Sequence, residues 1–305
     1  MKYLPALFLL ALATIAQGTE YTPLNVPTKA DMTRILFPDK LNGWAVTATG
    51  QVLSTFDAGK TWRVKQVTNR PIADIQFRGK LGFITGERGL LMKTTDGGAS
   101  WQDVSLNIKF NFNGVGIIND TSAIICGTDQ NSMAKTVGVT FQTWDRGKTW
   151  QKKPFLANGF FDVVVWPPSK IYFLAIKKSL HSIDGGGYFW TGKYEGKRVG
   201  FAFDFQDDWG YMVGGGGLFM KSTDHGRNWK EVPMQITKTL RAVTMIDHLS
   251  GVAAGQDGIV INFFQSGDQF TVENIGLPVS ISSIAVTEDK VFLAGQNGTI
   301  VYRAR

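Results

Sequence analysis

The chain has 305 residues, a formal net charge of +7, 43% hydrophobic residues, 35 glycines and one cysteine. A lone cysteine excludes an internal disulfide framework, and the glycine content suits many tight turns better than long helices. No linker or low-complexity stretch divides the sequence, so a single domain is expected.

The chain opens with MKYLPALFLLALATIAQG. Lys2 supplies a basic start, a short apolar core follows, and Thr14 with Ala16, or Ala16 with Gly18, offers small residues where a peptidase cuts. The apolar core is short for a membrane span. Residues 1–18 therefore read as a secretory signal peptide, and 19–305 as an exported domain bound for a periplasm or lumen. Two sequons, Asn-Asp-Thr and Asn-Gly-Thr, leave a eukaryotic secretory route open.

Beyond EYTPLNVPT at Glu20 to Thr28, one pattern recurs: Ser/Thr-x-Asp-x-Gly-x-x-aromatic. It centres on Asp57, Asp96, Asp145, Asp184 and Asp224. A worn sixth copy keeps Gly267 and Phe270 but has Gln265 in place of the Asp. The steps between these positions are 39, 49, 39, 40 and 41 residues, a period that signals a repeat fold. An Asp side chain accepts hydrogen bonds from nearby backbone N–H groups, and Gly reaches positive φ without steric cost. The motif thus closes a turn on itself, and the aromatic three residues after the Gly anchors it. A set of five equivalent acids at one period implies a shared structural duty rather than one active site.

Between the turns lie paired apolar runs broken by Gly, as in GWAVTATGQVLST, GFITGERGLLMKT, GYMVGGGGLFMKS, GVAAGQDGIVINF and VFLAGQNGTIVYR. An alternating segment such as ADIQF or RAVTMI precedes each, and another strand starts at the aromatic. Four short strands per unit of about forty residues describe a β-propeller blade. No segment carries a helical period, which removes α-solenoids. Seven units fit, the third enlarged by GTDQNSMAKTVGVTF and the last ending at Arg305 after its third strand. An open sheet edge there exposes unpaired backbone groups. The expected fold is an all-β, seven-bladed propeller with Asp-box turns, its ring closed by the segment Glu20 to Thr28 as the outer strand of the last blade. Cys126, in the run AIIC, reads as a buried thiol.

Units such as GYMVGGGGLFMKSTDHGRNWKEV and GFITGERGLLMKTTDGGASWQDV resemble those of the photosystem II stability and assembly factor family of Asp-box propellers, over nearly all of the exported chain. Asp boxes also occur in sialidases, xyloglucanases and sortilin-type receptors, but one ring of seven fits the present length. The resemblance implies a non-catalytic scaffold or assembly role without implying photosynthesis. It also implies an arginine-rich patch that docks a membrane-protein partner.

Propeller geometry puts the links from outer strand to next inner strand, and from second to third strand, on one face, with the Asp boxes opposite. Placed on the first face are Arg34, Arg70, Arg88, Lys177, Lys178, Lys197, Arg198, Lys238 and Arg241, against Glu87, Asp129, Glu195 and Asp257. A basic face of this kind suits an acidic segment of a membrane-protein complex or an anionic lipid surface, with the protein a monomer outside that complex. Nucleic acid is a poor partner for an exported protein. Scattered solubilising charge is the plainer alternative.

The competing function is a sialidase or other glycoside hydrolase, or a carbohydrate-binding propeller. A sialidase holds its carboxylate ligand with arginines, which Arg34, Arg70, Arg88 and Arg241 imitate, and attacks with a tyrosine. Tyr194 is the tyrosine in the loops of that face, and NRPIAD does not reproduce the Arg-Ile-Pro element of sialidases. Asp207 and Asp208 belong to a turn on the opposite face, unlike a catalytic carboxylate pair. His181, His225 and His248 lie far apart, which suggests no metal site, and no cofactor motif is present.

Overall fold

The computed structural model describes residues 20–129, 137–153, 159–166, 170–175, 179–183, 189–193 and 198–305. Their strands form seven four-stranded antiparallel sheets, each built from strands consecutive in sequence except one. The exception joins Ile281–Val286, Lys290–Gly295 and Ile300–Ala304 to the two-residue strand Thr22–Pro23. The all-β propeller read from the repeats is the observed fold.

The innermost strands of the seven blades are Met32–Leu36, Ile72–Arg78, Phe110–Ile117, Phe160–Trp166, Gly200–Gln206, Leu240–Asp247 and Ile281–Val286. Each packs against the next around the axis, and Ile281–Val286 returns to Met32–Leu36. Second strands such as GWAVT and LGFITG are buried along almost their whole length. They have neighbouring blades on both faces, so they read as continuous apolar runs rather than alternating ones.

Every inner strand slips register by one residue at the same place, between Met32 and Arg34, Ile72 and Asp74, Phe112 and Gly114, Phe160 and Asp162, Gly200 and Ala202, Leu240 and Ala242, and Ile281 and Ser283. A β-bulge of this kind bends the strand and re-aims side chains. Residues on both sides of the slip, such as Thr33 with Arg34 and Ala73 with Asp74, line the axial cavity.

Blade 7 joins the first and last strands of the described residues. Thr22 pairs with Tyr302 and Pro23 with Val301, and the Leu24 amide donates to the Ile300 carbonyl at 2.9 Å. Leu24 and Val26 pack on the core formed by Met32, Trp62 and Phe292, while buried Tyr21 donates its hydroxyl to Glu273 of blade 6 at 2.9 Å.

The Asp boxes are uniform. In blade 3 the Thr143 hydroxyl donates to Asp145 at 2.8 Å and accepts the Gly147 amide at 2.9 Å, while Asp145 accepts the Thr149 amide at 2.9 Å. Asp57, Asp96 and Asp224 are held by the same bonds in blades 1, 2 and 5. The Thr61 hydroxyl and amide are the main causes that bring Asp57 down to about 2, and the hydroxyls and amides of Ser100 and Thr149 hold Asp96 and Asp145 well below the usual carboxylate range. Asp184 lies outside the described residues. Gly147 has φ +73° and a Cβ there would stand 2.6 Å from Phe83 of the preceding blade, so backbone conformation and blade packing both require glycine.

Candidate partner-binding face

The seven inner strands enclose an axial channel of about 370 Å³, with the bulge residues toward its end opposite the Asp boxes. Its mouth is set by the bulge residues. Arg241 there is exposed, with its guanidinium 5.9 Å from the centroid of the Phe201 ring, and Phe201 meets Phe161 edge-on at 5.9 Å. The Asn113 amide, one blade before Phe161, donates to the Phe160 carbonyl at 2.6 Å and ties blade 3 to blade 4.

Deeper in the channel sits Arg34, on the inner strand of blade 1. Its Nε lies 3.0 Å from Asp74 Oδ1 of blade 2 and its Nη1 lies 3.8 Å from Asp162 Oδ2 of blade 4. With 30% of its side chain exposed against 3% for Asp74, the arginine is a cross-link inside the ring. The acids are themselves blade-to-blade staples. Asp74 accepts the amides of Ile75 and, in the next blade, Val115; Asp204 accepts those of Phe205 and, in the next blade, Met245. Ser283 closes the circle by accepting the Ile35 amide at 3.1 Å.

Burial dominates the titration of this set. It lifts Asp162 to about 6 against the pull of Arg34, and lifts Asp204 to about 6 against its backbone donors. Asp74 is also raised by burial, with Arg34 opposing, and the Arg34 guanidinium is held charged chiefly by Asp74.

The remaining expected basic residues fall into three groups. Arg70, Arg198 and Lys238 stand in the face's loops but are each paired: Arg70 with Asp103 at 2.9 Å and Ser105 at 2.8 Å, Arg198 with Glu231 and the Gly216 carbonyl, Lys238 with Asp257 at 2.9 Å. Arg88 is exposed in a tight turn at φ +54° with no carboxylate partner among the described residues. Lys177, Lys178, Lys197 and the opposing Glu195 lie outside the described residues, as does Tyr194.

One placement corrects the sequence reading: Arg34 and Arg241 belong to inner strands rather than to loops, Arg34 inside the channel and Arg241 at its mouth, because the bulge turns consecutive residues toward the axis. Among the described residues, Asp103 and Glu231 of the outer strands reach up to Arg70 and Arg198 of the face. Sequence reasoning missed Asp74, Asp162 and Asp204 altogether; their common place near the start of an alternating inner strand was the available signal.

The geometry offers a shallow recognition site. Arg88 and Arg241 present guanidinium forks that suit carboxylates, and Phe161 with Phe201 offers aromatic surface beside Arg241. Asp74 and Asp204 are poorly placed for hydrolysis, because each spends both oxygens on backbone amides. Asp207 and Asp208 lie on the opposite face, where Asp208 pairs with His225 at 2.8 Å. Among the described residues no three His, Cys, Asp or Glu side chains gather to hold a metal ion.

A family model described as photosynthesis system II assembly factor YCF48 matches residues 13–161. The chain is 22% identical to the photosystem II assembly lipoprotein Ycf48 of Synechococcus sp. strain CC9902, over 94% of this chain and 89% of the relative. It is 22% identical to the chloroplastic photosystem II stability/assembly factor HCF136 of Arabidopsis thaliana, over 74% of each. A solved structure described as YCF48 bound to D1 peptide superposes with a TM-score of 0.77 at 20% identity, covering 99% of this chain and 100% of that one. YCF48 from Cyanidioschyzon merolae gives 0.76 at 15%, covering 93% and 98%. The resemblance read from the repeat units is borne out.

Proposed function

We propose that this chain is an exported, non-catalytic assembly or stability factor that holds an extramembrane segment of a membrane-protein complex against the loop face around the channel mouth. The observation that carries this reading is Arg241, exposed at the channel mouth with no carboxylate partner among the described residues and 5.9 Å from the Phe201 ring of the Phe161–Phe201 pair, with Arg88 a second such arginine in a loop of the same face. The names of the relatives agree with it: an assembly lipoprotein, a stability/assembly factor, and a relative solved with a D1 peptide. Residues 1–18 act as the export signal, and 19–305 work as one propeller in a periplasm or lumen, a monomer outside the complex. Arg70, Arg198 and Lys238, already oriented by Asp103, Glu231 and Asp257, form the rim, where they steer an acidic segment more than they bind it.

Arg34 has a different duty here: it braces the channel from within. A glycoside hydrolase is disfavoured because Asp74 and Asp204 are committed to stapling blades together and Asp162 faces Arg34. The test is titration of a fluorescent peptide from the extramembrane part of a D1-type protein. Arg241→Glu and Arg88→Glu are each expected to weaken binding about tenfold, with a steeper loss in salt for the wild type. Equal affinity for wild type and both variants would overturn the reading.

A further inference from the structure

We propose that the cleft between blades 2 and 3, on the Asp-box side of the ring, is a binding site for a phosphate-class dianion held by Lys93, Arg146 and Lys148. The proposal is independent of what docks on the loop face.

At three blade junctions the glycine of an Asp box packs on the second strand of the preceding blade, and the residue after that glycine faces one position of the preceding blade's third strand. Between blades 5 and 6, Gly267 stands against Tyr211, whose register partner is Lys221. The residue after Gly267 is Asp268; the Lys221 amine pairs with its carboxylate and donates to the Ser266 carbonyl at 3.2 Å. Between blades 1 and 2, Gly98 stands against Trp44, whose partner is Ser54, and the next residue is Ala99, so this junction is neutral. Between blades 2 and 3, Gly147 stands against Phe83, whose partner is Lys93, and the next residue is Lys148. Two lysines thus meet where the same fold elsewhere sets a lysine against an acid, or no charge at all.

Like charges at facing positions destabilise a sheet protein, and Lys93 is half-buried, where solvent screens it less. Burial holds the Lys93 amine below its ordinary range, and Lys148 and Arg146 push it the same way against the pull of Asp145. Neither lysine amine has an acidic partner among the described residues. Arg146 spends its Nε on the Asp120 carbonyl at 3.1 Å, which leaves its terminal nitrogens, and Asp120 itself is taken by Arg78 at 2.8 Å. Asp145 is the acid that faces Lys93, and its oxygens already accept the Lys148 and Thr149 amides at 2.9 Å and the Thr149 hydroxyl at 2.6 Å. Three cations against that one carboxylate leave two positive charges unbalanced. A phosphate dianion cancels both, whereas a carboxylate cancels one, and two ammonium points with a guanidinium suit its tetrahedral oxygens. A local rule broken without structural gain marks a functional position.

The test uses the full chain and inorganic phosphate. Equilibrium dialysis is expected to show a single saturable site, and excess phosphate to raise the thermal midpoint by about 3 °C over sodium chloride of the same ionic strength. Lys93→Gln is expected to weaken phosphate binding about tenfold without lowering the midpoint in chloride, since it removes a repulsion. Lys148→Asp copies the lysine–acid pairing of blades 5 and 6, so it should raise the midpoint in chloride and abolish the response to phosphate. Lys221→Gln, at the equivalent position of blade 5, should leave phosphate binding as in the wild type. Glycerol 3-phosphate separates the sources of the anion: displacement of inorganic phosphate on equal terms assigns the site to a phosphomonoester of a larger molecule, and failure to displace it assigns the site to the free ion. An equal rise in chloride, no saturable binding by the wild type, or a phosphate response that survives Lys148→Asp would each overturn the proposal.

Discussion

Thr143 shows how much one side chain settles in this molecule. Fully buried, it accepts the Gly147 amide and donates to Asp145. Thr143→Val leaves that amide without its acceptor and is expected to cost about 1–2 kcal/mol in denaturant unfolding. The channel acids predict a pH dependence of opposite sign to the turn acids. Asp162 and Asp204 titrate near 6 in the folded protein, above their ordinary 3.8, so protonation favours folding. Their contribution is complete below about pH 4 and is lost as pH rises through 6. Asp57, at about 2, and the still lower Asp96 and Asp145 contribute above about pH 4 and lose it as pH falls. Urea midpoints should therefore rise from pH 8 to pH 5, and Asp204→Asn should flatten that slope. Arg34→Met should be more damaging at pH 8 than at pH 5, because the loss of its charge matters most while Asp74 and Asp162 are ionised. The Asp-box bonds were legible in the Ser/Thr-x-Asp-x-Gly spelling. The left-handed residue just before the Gly was not, since Ala58, Arg146 and His225 occupy it at φ near +60° with no glycine to mark it.

At the scale of elements, the two-residue strand Thr22–Pro23 does more than its length suggests. It covers the edge of Ile300–Ala304, and it brings Tyr21, Leu24 and Val26 onto the cores of blades 6, 7 and 1. Deletion of residues 20–28 should cost on the order of 4 kcal/mol in buried apolar surface and leave an unpaired edge. The expected readout is a lower urea midpoint together with concentration-dependent light scattering; an unchanged midpoint would mean the ring closes without the segment. The count of strands per unit was readable because turns punctuate the chain every few residues. The inner-strand bulge was hidden, because a one-residue slip leaves both neighbours looking like ordinary strand. That slip turned Arg34 from the expected loop face into the channel and set Arg241 at the channel mouth.

For the whole molecule, seven blades divide the labour between two faces and an axis. The Asp-box face carries the turns and Arg305, the axis is braced by Arg34 and its acids, and the loop face keeps Arg88 and Arg241 unpaired by described carboxylates. Net charge pointed toward a basic face, but charge alone does not say which cations are neutralised: Asp103, Glu231 and Asp257 lie 33, 33 and 19 residues from Arg70, Arg198 and Lys238. The most direct measurement of the docking claim is affinity purification of the tagged protein from detergent-solubilised native membranes, beside the Arg88→Glu/Arg241→Glu variant. A membrane-protein complex retained by the wild type and lost by a variant of unchanged thermal stability is the predicted result. The same complex retained by both, or the bare protein recovered from both, would contradict it.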